Sequence, residues 1–591
     1  MNLLLTRRGF VGLMISSAYL ITARPLEAPA ALITSEFTDR DERRILDYVF
    51  ALIDKKFDMS VQAPAPALSH RFLSDEFKMV WVAFLKDREV IACKGVAVKS
   101  PVTEAAFLAA LEKSTVRSLE DNRFIGEIAR NDVKNLELVI HINRDIVPLR
   151  KTDLKHLQEE IELGVHAFKL DLDKKHAWYL ENVPITNNWS LETSLKKLSK
   201  KAGLLTDAYK DPGVKISTSN MLTFKGKRTG TNHDLYRYSI LIREQDITND
   251  LIRTRLGLAR DWCLNNVDPK TKRVQYLYYP ATDTYLKDID NLRSLALLYI
   301  LTELNLFLGD NSLDRLIRDT TDYSQTKIKH SGDHVYMDFD GDVKIAYNAF
   351  MILALVRQPR YPGSLETAGK LAQWIVSLQR PDGSYDTSPN GKVTGIDYYP
   401  GEAMLSLMRL FDATGDGRLL DSVSRAFPYY RDYWRKKKST AFIPWHTQAY
   451  FLLARHTLDT ELGSFVYEMN DWLIDTYQIL DDVYPDKIGG FWKRDPNNST
   501  SSYMEGVNDA YTTALLFNDE EHIKKYRDSI RKGIRFVLQT QFTPENAFWV
   551  QNPKRAVGGF KESLKSVNQR NDYAQHATSA LLKAYRNSIY T

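Results

Sequence analysis

The sequence predicts two parts in series, an N-terminal α+β domain and an all-α (α/α)6 toroid built from six helical hairpins. Three observations lead there. From about residue 246 onward, an amphipathic segment followed by an apolar, small-residue-rich segment recurs six times, and a supersecondary unit repeated at this period decides the architecture. Residues 79–100 instead alternate apolar and polar positions in two runs, the period of half-buried strands. The chain has 591 residues, 43% apolar and 11% aromatic, enough for two or three domains with cores of their own.

Residues 1–30 combine a basic start, an apolar run from Phe10 to Ala23 and small residues after it. Thr6, Arg7, Arg8, Gly9 and Phe10 resemble a twin-arginine signal, which implies a bacterial export machinery as partner and the periplasm as destination. An ordinary secretory signal or an uncleaved anchor is the alternative. The apolar run is too short to hold the mature protein stably in a membrane. A formal net charge of only +5, two units of it from Arg7 and Arg8, gives no support for nucleic acid as a partner. The two cysteines, Cys93 and Cys263, fall in different parts of the chain and have no metal-ligand spacing, so they form one disulfide or stay as thiols.

The mature chain opens with an amphipathic helix over residues 38–57 and a Pro/Ala linker over 61–69. Strands follow over 79–87 and 90–100 with a Lys86 to Glu89 turn, then a helix over 103–119, a strand over 136–142 and strand-like segments from His166 and His176. Residues 164–224, with the runs Lys201 to Leu204 and Asp207 to Pro212, resemble the second half of an AMMECR domain, and Asp121 to Phe124 resemble its aspartate, arginine and phenylalanine segment. The resemblance covers residues 36–225. Where that family has a short motif of arginine, glycine, cysteine, isoleucine and glycine, this chain reads Ile91, Ala92, Cys93, Lys94, Gly95. Lys94 points to the other strand face from Cys93, so it does not replace the missing arginine. A packing or accessory role is therefore expected here. Residues 226–245 read as the interdomain connection, with one more strand expected over Tyr238 to Ile242.

The toroid is expected over residues 246–591, with inner helices at 288–301, 343–355, 398–411, 444–454, 505–517 and 571–585, and outer helices anchored by Trp262, Tyr323, Trp374, Tyr433, Trp472 and Phe536. Such α/α barrels resemble those of glycan hydrolases, uronate lyases and epimerases, and also terpene cyclases, so fold alone leaves function open. Chemistry belongs where the inner helices begin, because loops and helix N-termini converge there. The residues at those starts include the candidate catalytic groups Asp397, Glu402, His446, Glu505, Asp509 and Asp572. The candidate substrate binders are Arg293, Asn348, Tyr399, Trp445, Tyr503, Asn571, Tyr573 and His576. Rings cover the apolar face of a pyranose while carboxylates and amides take its hydroxyls. Asp and Asn also cap helices, but caps do not explain His446, Glu402, Glu505 or His576 inside theirs.

Two chemistries fit this belt. Hydrolysis needs two carboxyls, whereas elimination or epimerisation beside a uronate carboxyl needs a Tyr or His base and a neutralising Arg or Asn. No cofactor or metal is expected. An envelope or exopolysaccharide-assembly protein that only binds glycan is the alternative from another class. The run from Lys370 to Tyr385 resembles the glutamine and tryptophan repeat of triterpene cyclases, but a Gln to Asp-Gly-Ser loop also serves as a helix stop in any toroid, and Asn291 stands where an acidic motif would end in Asp. Asp412 to Arg418 lacks the Glu of a calcium loop and reads as a turn with Asp416 as cap. The first domain is expected to dock over the toroid mouth and shape its groove.

Overall fold

The computed structural model describes residues 39–57, 65–68, 76–121, 132–150, 153–332, 334–389 and 394–590. The twin-arginine pattern at Thr6 to Phe10, most of the Pro/Ala linker and Asn122 to Phe124 lie outside the described residues. The first domain opens with α1 (Asp39–Phe57). Strands β1 (Phe77–Lys86) and β2 (Glu89–Ala97) form a hairpin turned by Asp87 and Arg88, whose φ of 48° and 74° are those of a type I′ turn. Helix α2 (Glu104–Leu119) starts where the Thr103 side chain accepts the Ala106 N–H. Then come β3 (Glu137–Arg144), β4 (Val147–Pro148), α3 (Leu154–Glu160), β5 (His166–Leu172), β6 (Lys175–Tyr179), α4 (Asn182–Thr186), α5 (Leu191–Lys201), β7 (Lys215–Lys227) and β8 (His233–Asp234). The sheet runs β2-β1-β3-β7-β5-β6, with β4 and β8 also pairing to β7. Apolar residues of α1 and α2 cover one face of β1, β2 and β3.

The altered motif has a structural explanation. Cys93 sits with Ala83, Leu85, Val139 and Tyr238 on the sheet face turned toward Phe548 and Trp549 of the second domain. Lys94 lies on the other face, its Nζ 3.3 Å from Asp121, and Asp121 also accepts the Cys93 N–H at 3.2 Å. Gly95 faces Trp81 across the hairpin, and a Cβ there would lie 2.3 Å from the indole. Cys93 and Cys263 share no disulfide.

Residues 238–242 do not form the expected strand. They run as irregular chain pinned by Gln539, whose Oε1 accepts the Ile242 N–H at 2.8 Å and whose Nε2 donates to the Ile240 carbonyl at 3.0 Å. A side-chain amide replaces a strand partner, which the local apolar pattern does not reveal.

Beyond this connection, outer and inner helices alternate. They are α6 (Asn249–Asn265) and α7 (Asn291–Leu308), α8 (Asp314–Gln325) and α9 (Ile345–Val356), α10 (Ser364–Ser377) and α11 (Tyr399–Thr414), α12 (Gly417–Lys436) and α13 (Ile443–Thr457), α14 (Thr460–Tyr477) and α15 (Ser499–Phe517). The last pair is α16 (Glu520–Gln539) and α18 (Asn571–Arg586), with the single turn α17 (Pro553–Ala556) between them. The even-numbered helices through α16 are outer; α7, α9, α11, α13, α15 and α18 pack side by side, and α18 returns to α7 to close the ring. Helix α7 is the one described helix long and apolar enough to cross a membrane, and its place inside this ring accounts for that composition.

A clamp repeats three times around the outer layer. Gln379 donates to the Ser422 and Gly383 carbonyls, Gln478 to those of Ser529 and Gly489, and Gln541 to those of Arg255 and Gly558. In each case the glycine passes the carbonyl three residues further along the same outer helix, that of Arg425, Lys532 or Leu258, so closely that a Cβ would lie 2.3, 1.9 or 1.8 Å from it. All three glycines have positive φ, between 87° and 94°. The Asp382 to Tyr385 loop thus acts as a helix stop that staples neighbouring outer helices. Asp416 caps α12, its side chain accepting the Arg418 N–H.

The first domain docks at the end where the inner helices begin. Its apolar residues Leu157, Phe168, Leu195 and Tyr209 share a core with Tyr278, Phe542, Val550 and Val567 from rim loops of the toroid. At the centre of the contact, buried Arg237 donates to Asp486 at 2.6 Å and Glu162 at 2.8 Å, and Lys487 and Lys565 lie 3.0 and 3.2 Å from Glu162. Asn188 adds hydrogen bonds to Asn568 at 2.9 Å and to the Val567 N–H at 3.0 Å. The loops engaged precede α15, α18 and α7, three consecutive members of the ring.

Candidate active site in the toroid channel

Side chains seven residues apart on a helix share a face. Arg409 of α11, Asp509 and Thr512 of α15, and Ser579, Lys583 and Arg586 of α18 line a cavity of 220 Å³ enclosed by the inner helices. Glu402, seven residues before Arg409, and Glu505, seven before Thr512, therefore point into the same channel two turns nearer its mouth. Asp572 and His576 do so by the same count from Ser579 and Lys583.

Glu402 is buried and its Oε2 has no hydrogen-bond partner among the described residues. Burial pushes its carboxyl up to about 8, against the pull of the Arg293 charge. It is therefore a protonated acid at neutral pH. Glu505 is also buried; its Oε1 lies 3.3 Å from Gln575 Nε2 and 3.3 Å from His576 Nδ1, and its Oε2 is unpartnered. In the neutral tautomer that donates from Nδ1 to Glu505, His576 Nε2 presents a lone pair. The indole of Trp445 lies 6.0 Å from the His576 ring and 5.4 Å from Phe350 across the channel.

Asp572 is held differently. Burial raises its carboxyl, but hydrogen bonds from Arg570 at 2.6 Å and Arg293 at 2.9 Å outweigh that and keep it below the usual range. It is a saturated carboxylate that fixes two guanidiniums at the mouth. Arg293 also pairs with Asp290. Tyr399 is buried beside Glu402, and desolvation holds its hydroxyl protonated. Tyr573 packs under Arg570 at 4.4 Å, and Asn571 is fully buried with both side-chain polar atoms unpartnered among the described residues.

Five of the sequence-derived residues sit elsewhere. His446 points away from the channel, between the layers, with its ring against Phe442, Tyr430 and Tyr450. Its Nδ1 donates to the Phe442 carbonyl at 2.8 Å, and burial drives it down to about 3, a neutral packed imidazole. Its neighbour Trp445 takes the inward position, since adjacent helical residues diverge by about 100°. Asn348 accepts the Met337 N–H at 2.9 Å and donates to the Leu371 carbonyl at 3.2 Å, tying the inner helix to its outer layer. Asp397 accepts from Tyr433 at 2.8 Å and Ser439 at 3.2 Å as a brace of the rim. Asp509 lies too deep, because α15 begins at Ser499 rather than near 505, and it pairs with Lys583 at 2.7 Å. Tyr503 donates to Thr440 at 3.0 Å at the rim.

With the geometry established, comparison with known proteins places the first domain. Residues 46–224 match the AMMECR1 family model. Protein VNG_2543C of Halobacterium salinarum (strain ATCC 700922 / JCM 11081 / NRC-1) is 34% identical over 76 residues, 13% of this chain. The chain covers 35% of that relative's length. Among solved structures, the cellobiose 2-epimerase of Bacillus thermoamylovorans B4167 is 11% identical, covering 57% of this chain and 98% of its own, with a TM-score of 0.44. The GH76A alpha-1,6-mannanase of Salegentibacter sp. HEL1_6 is 9% identical, covering 57% and 99%, with a TM-score of 0.43.

Lys583 and Arg409 were not among the sequence candidates, because these lie well past the helix starts. The available signal was a charge inside an otherwise apolar inner helix, as in the run from Ala403 to Phe411. Among the described residues no group of three or more His, Cys, Asp or Glu is arranged to hold a metal ion.

Proposed function

We propose that the toroid is a carbohydrate-active enzyme that moves protons on a sugar bound in the channel mouth, with Glu402 as acid and His576 as base. The observation that carries this reading is the pairing of a protonated, unpartnered Glu402 with an imidazole whose Nδ1 is anchored on Glu505. The protonated carboxyl can donate to a sugar oxygen while His576 Nε2 removes a proton, the two halves of epimerisation, isomerisation or elimination. Trp445 offers a face for the pyranose, and Arg293, held by Asp290 and Asp572, supplies fixed positive charge at the mouth. A second reading, hydrolysis with Glu402 as acid and Glu505 as the second carboxyl, is favoured by the unpartnered Glu505 Oε2. The twin-arginine pattern at Thr6 to Phe10 supports export, and with it a periplasmic oligosaccharide or polysaccharide substrate.

The test is to incubate the full-length protein with neutral and acidic saccharides and to follow new reducing ends, absorbance of unsaturated uronates, and epimer signals by NMR. Epimers or unsaturated products support proton transfer, and reducing ends alone support hydrolysis. Saturable binding with no product on any saccharide overturns the enzyme reading in favour of a binding protein.

A further inference from the structure

The cavity at the far end of the channel, away from the mouth, carries more positive charge than it can neutralise. Arg357 and Arg586 share Glu303, at 2.5 and 2.8 Å, and Lys583 takes Asp509 at 2.7 Å. Both carboxylates are thus engaged before Arg409 is reached. Arg409 projects from the middle of an apolar inner helix into the same space, and its buried Nε has no hydrogen-bond partner among the described residues. Cations near helix C-termini are favoured by the helix dipole, which accounts for Arg357 and Arg586 at the ends of α9 and α18. It does not account for Arg409, five residues before the end of α11 and donating to no carbonyl among the described residues.

We infer that this cavity is a binding site for a phosphate-sized dianion, inorganic phosphate or the phosphate group of a small ester, with Arg409 as its principal ligand. Four cations against two carboxylates leave an excess of two charges, the charge a phosphate brings near neutral pH. Guanidiniums bind such an oxyanion through paired N–H donors. The 220 Å³ volume admits phosphate with a small substituent. The half-exposed Arg586 marks where the cavity meets solvent. This site is independent of the chemistry proposed at the mouth and stands whether or not that reading holds.

Calorimetric titration of the full-length protein with inorganic phosphate, and separately with glucose 6-phosphate, tests it, with chloride at matched ionic strength as control. The expected result is saturable binding of at least one of the two, weakened at least tenfold in Arg409→Met and partly restored in Arg409→Lys. Tighter binding of the ester identifies a sugar phosphate as the ligand class, and tighter binding of the free ion identifies phosphate itself. Should Arg409→Met fail to fold, Arg586→Gln must produce the weakening instead. Absence of saturable binding, equal heats with chloride, or unchanged affinity in the folded variants overturns the assignment.

Discussion

Replacing Arg237 by Met removes the charge that joins the two domains while keeping most of the side-chain volume. In the wild type, Arg237 is only 4% exposed and is hydrogen-bonded to Asp486 of a toroid loop and to Glu162 and the Leu163 carbonyl of the first domain. Glu162 keeps Lys487 and Lys565 after the change, but Asp486, 1% exposed, is left as a buried carboxylate with no ion-pair partner among the described residues. Breaking a buried pair on one side costs about 3–5 kcal/mol, and here the loss falls on docking. Scanning calorimetry should show one transition for the wild type, and for Arg237→Met an early transition separating from a later one. The same contact sets an acid sensitivity. Burial raises the Glu162 carboxyl, but Arg237, Lys565 and Lys487 outweigh that and bring it to about 2. Because the folded value is depressed, its stabilisation is present above about pH 4.5 and lost as pH falls toward about 2, a change on the order of 3 kcal/mol. A single transition at the wild-type temperature in Arg237→Met would show that this charge does not hold the domains together.

Gly489→Ala places a methyl 1.9 Å from the Lys532 carbonyl at a φ of 87°, and should cost on the order of 3 kcal/mol by denaturant titration. Glu402→Gln removes a carboxyl that burial has raised to about 8. A raised folded value means stability is greatest below about pH 4.5 and falls as pH rises toward about 8, so at pH 7 the Gln variant should be more stable by about 3 kcal/mol. On a substrate found in the saccharide screen, the same variant should lose about 10²- to 10⁴-fold in kcat, and the wild-type rate should fall above about pH 8. Trp445→Ala should raise KM on that substrate more than it lowers kcat, measured from initial rates, because it removes a stacking face and no proton donor.

The toroid was legible because its repeat is carried by composition: small and apolar residues mark helices that touch neighbours on every side, and aromatic anchors mark those that touch on one. The first domain was legible through strand alternation and through the runs at Lys201 and Asp207. What the sequence could not supply was helix phase. His446 and Trp445 are adjacent, both polar or aromatic and both at the start of α13, yet one faces the outer layer and the other the channel. The apolar pattern of α15 starts six residues after the helix itself, since Ser499 to Met504 lack the periodicity that signals a helix, and Asp509 therefore lies in the interior and not at the mouth. Asn348 looks like a ligand because an amide on a buried helix must be paired; its partners are backbone groups of the strand His334–Met337 and α10, which no local pattern announces. The Gln379 loop was read correctly as a helix stop, and only the structure shows that Gln478 and Gln541 make the same clamp.

Proton exchange of His576 and Glu402 with a bound sugar can be followed by NMR of saccharides incubated with the full-length protein in deuterated water. Deuterium should appear at a sugar carbon, with the signal abolished in His576→Gln and strongly slowed in Glu402→Gln. Turnover with no deuterium at carbon, or undiminished exchange in His576→Gln, would contradict it.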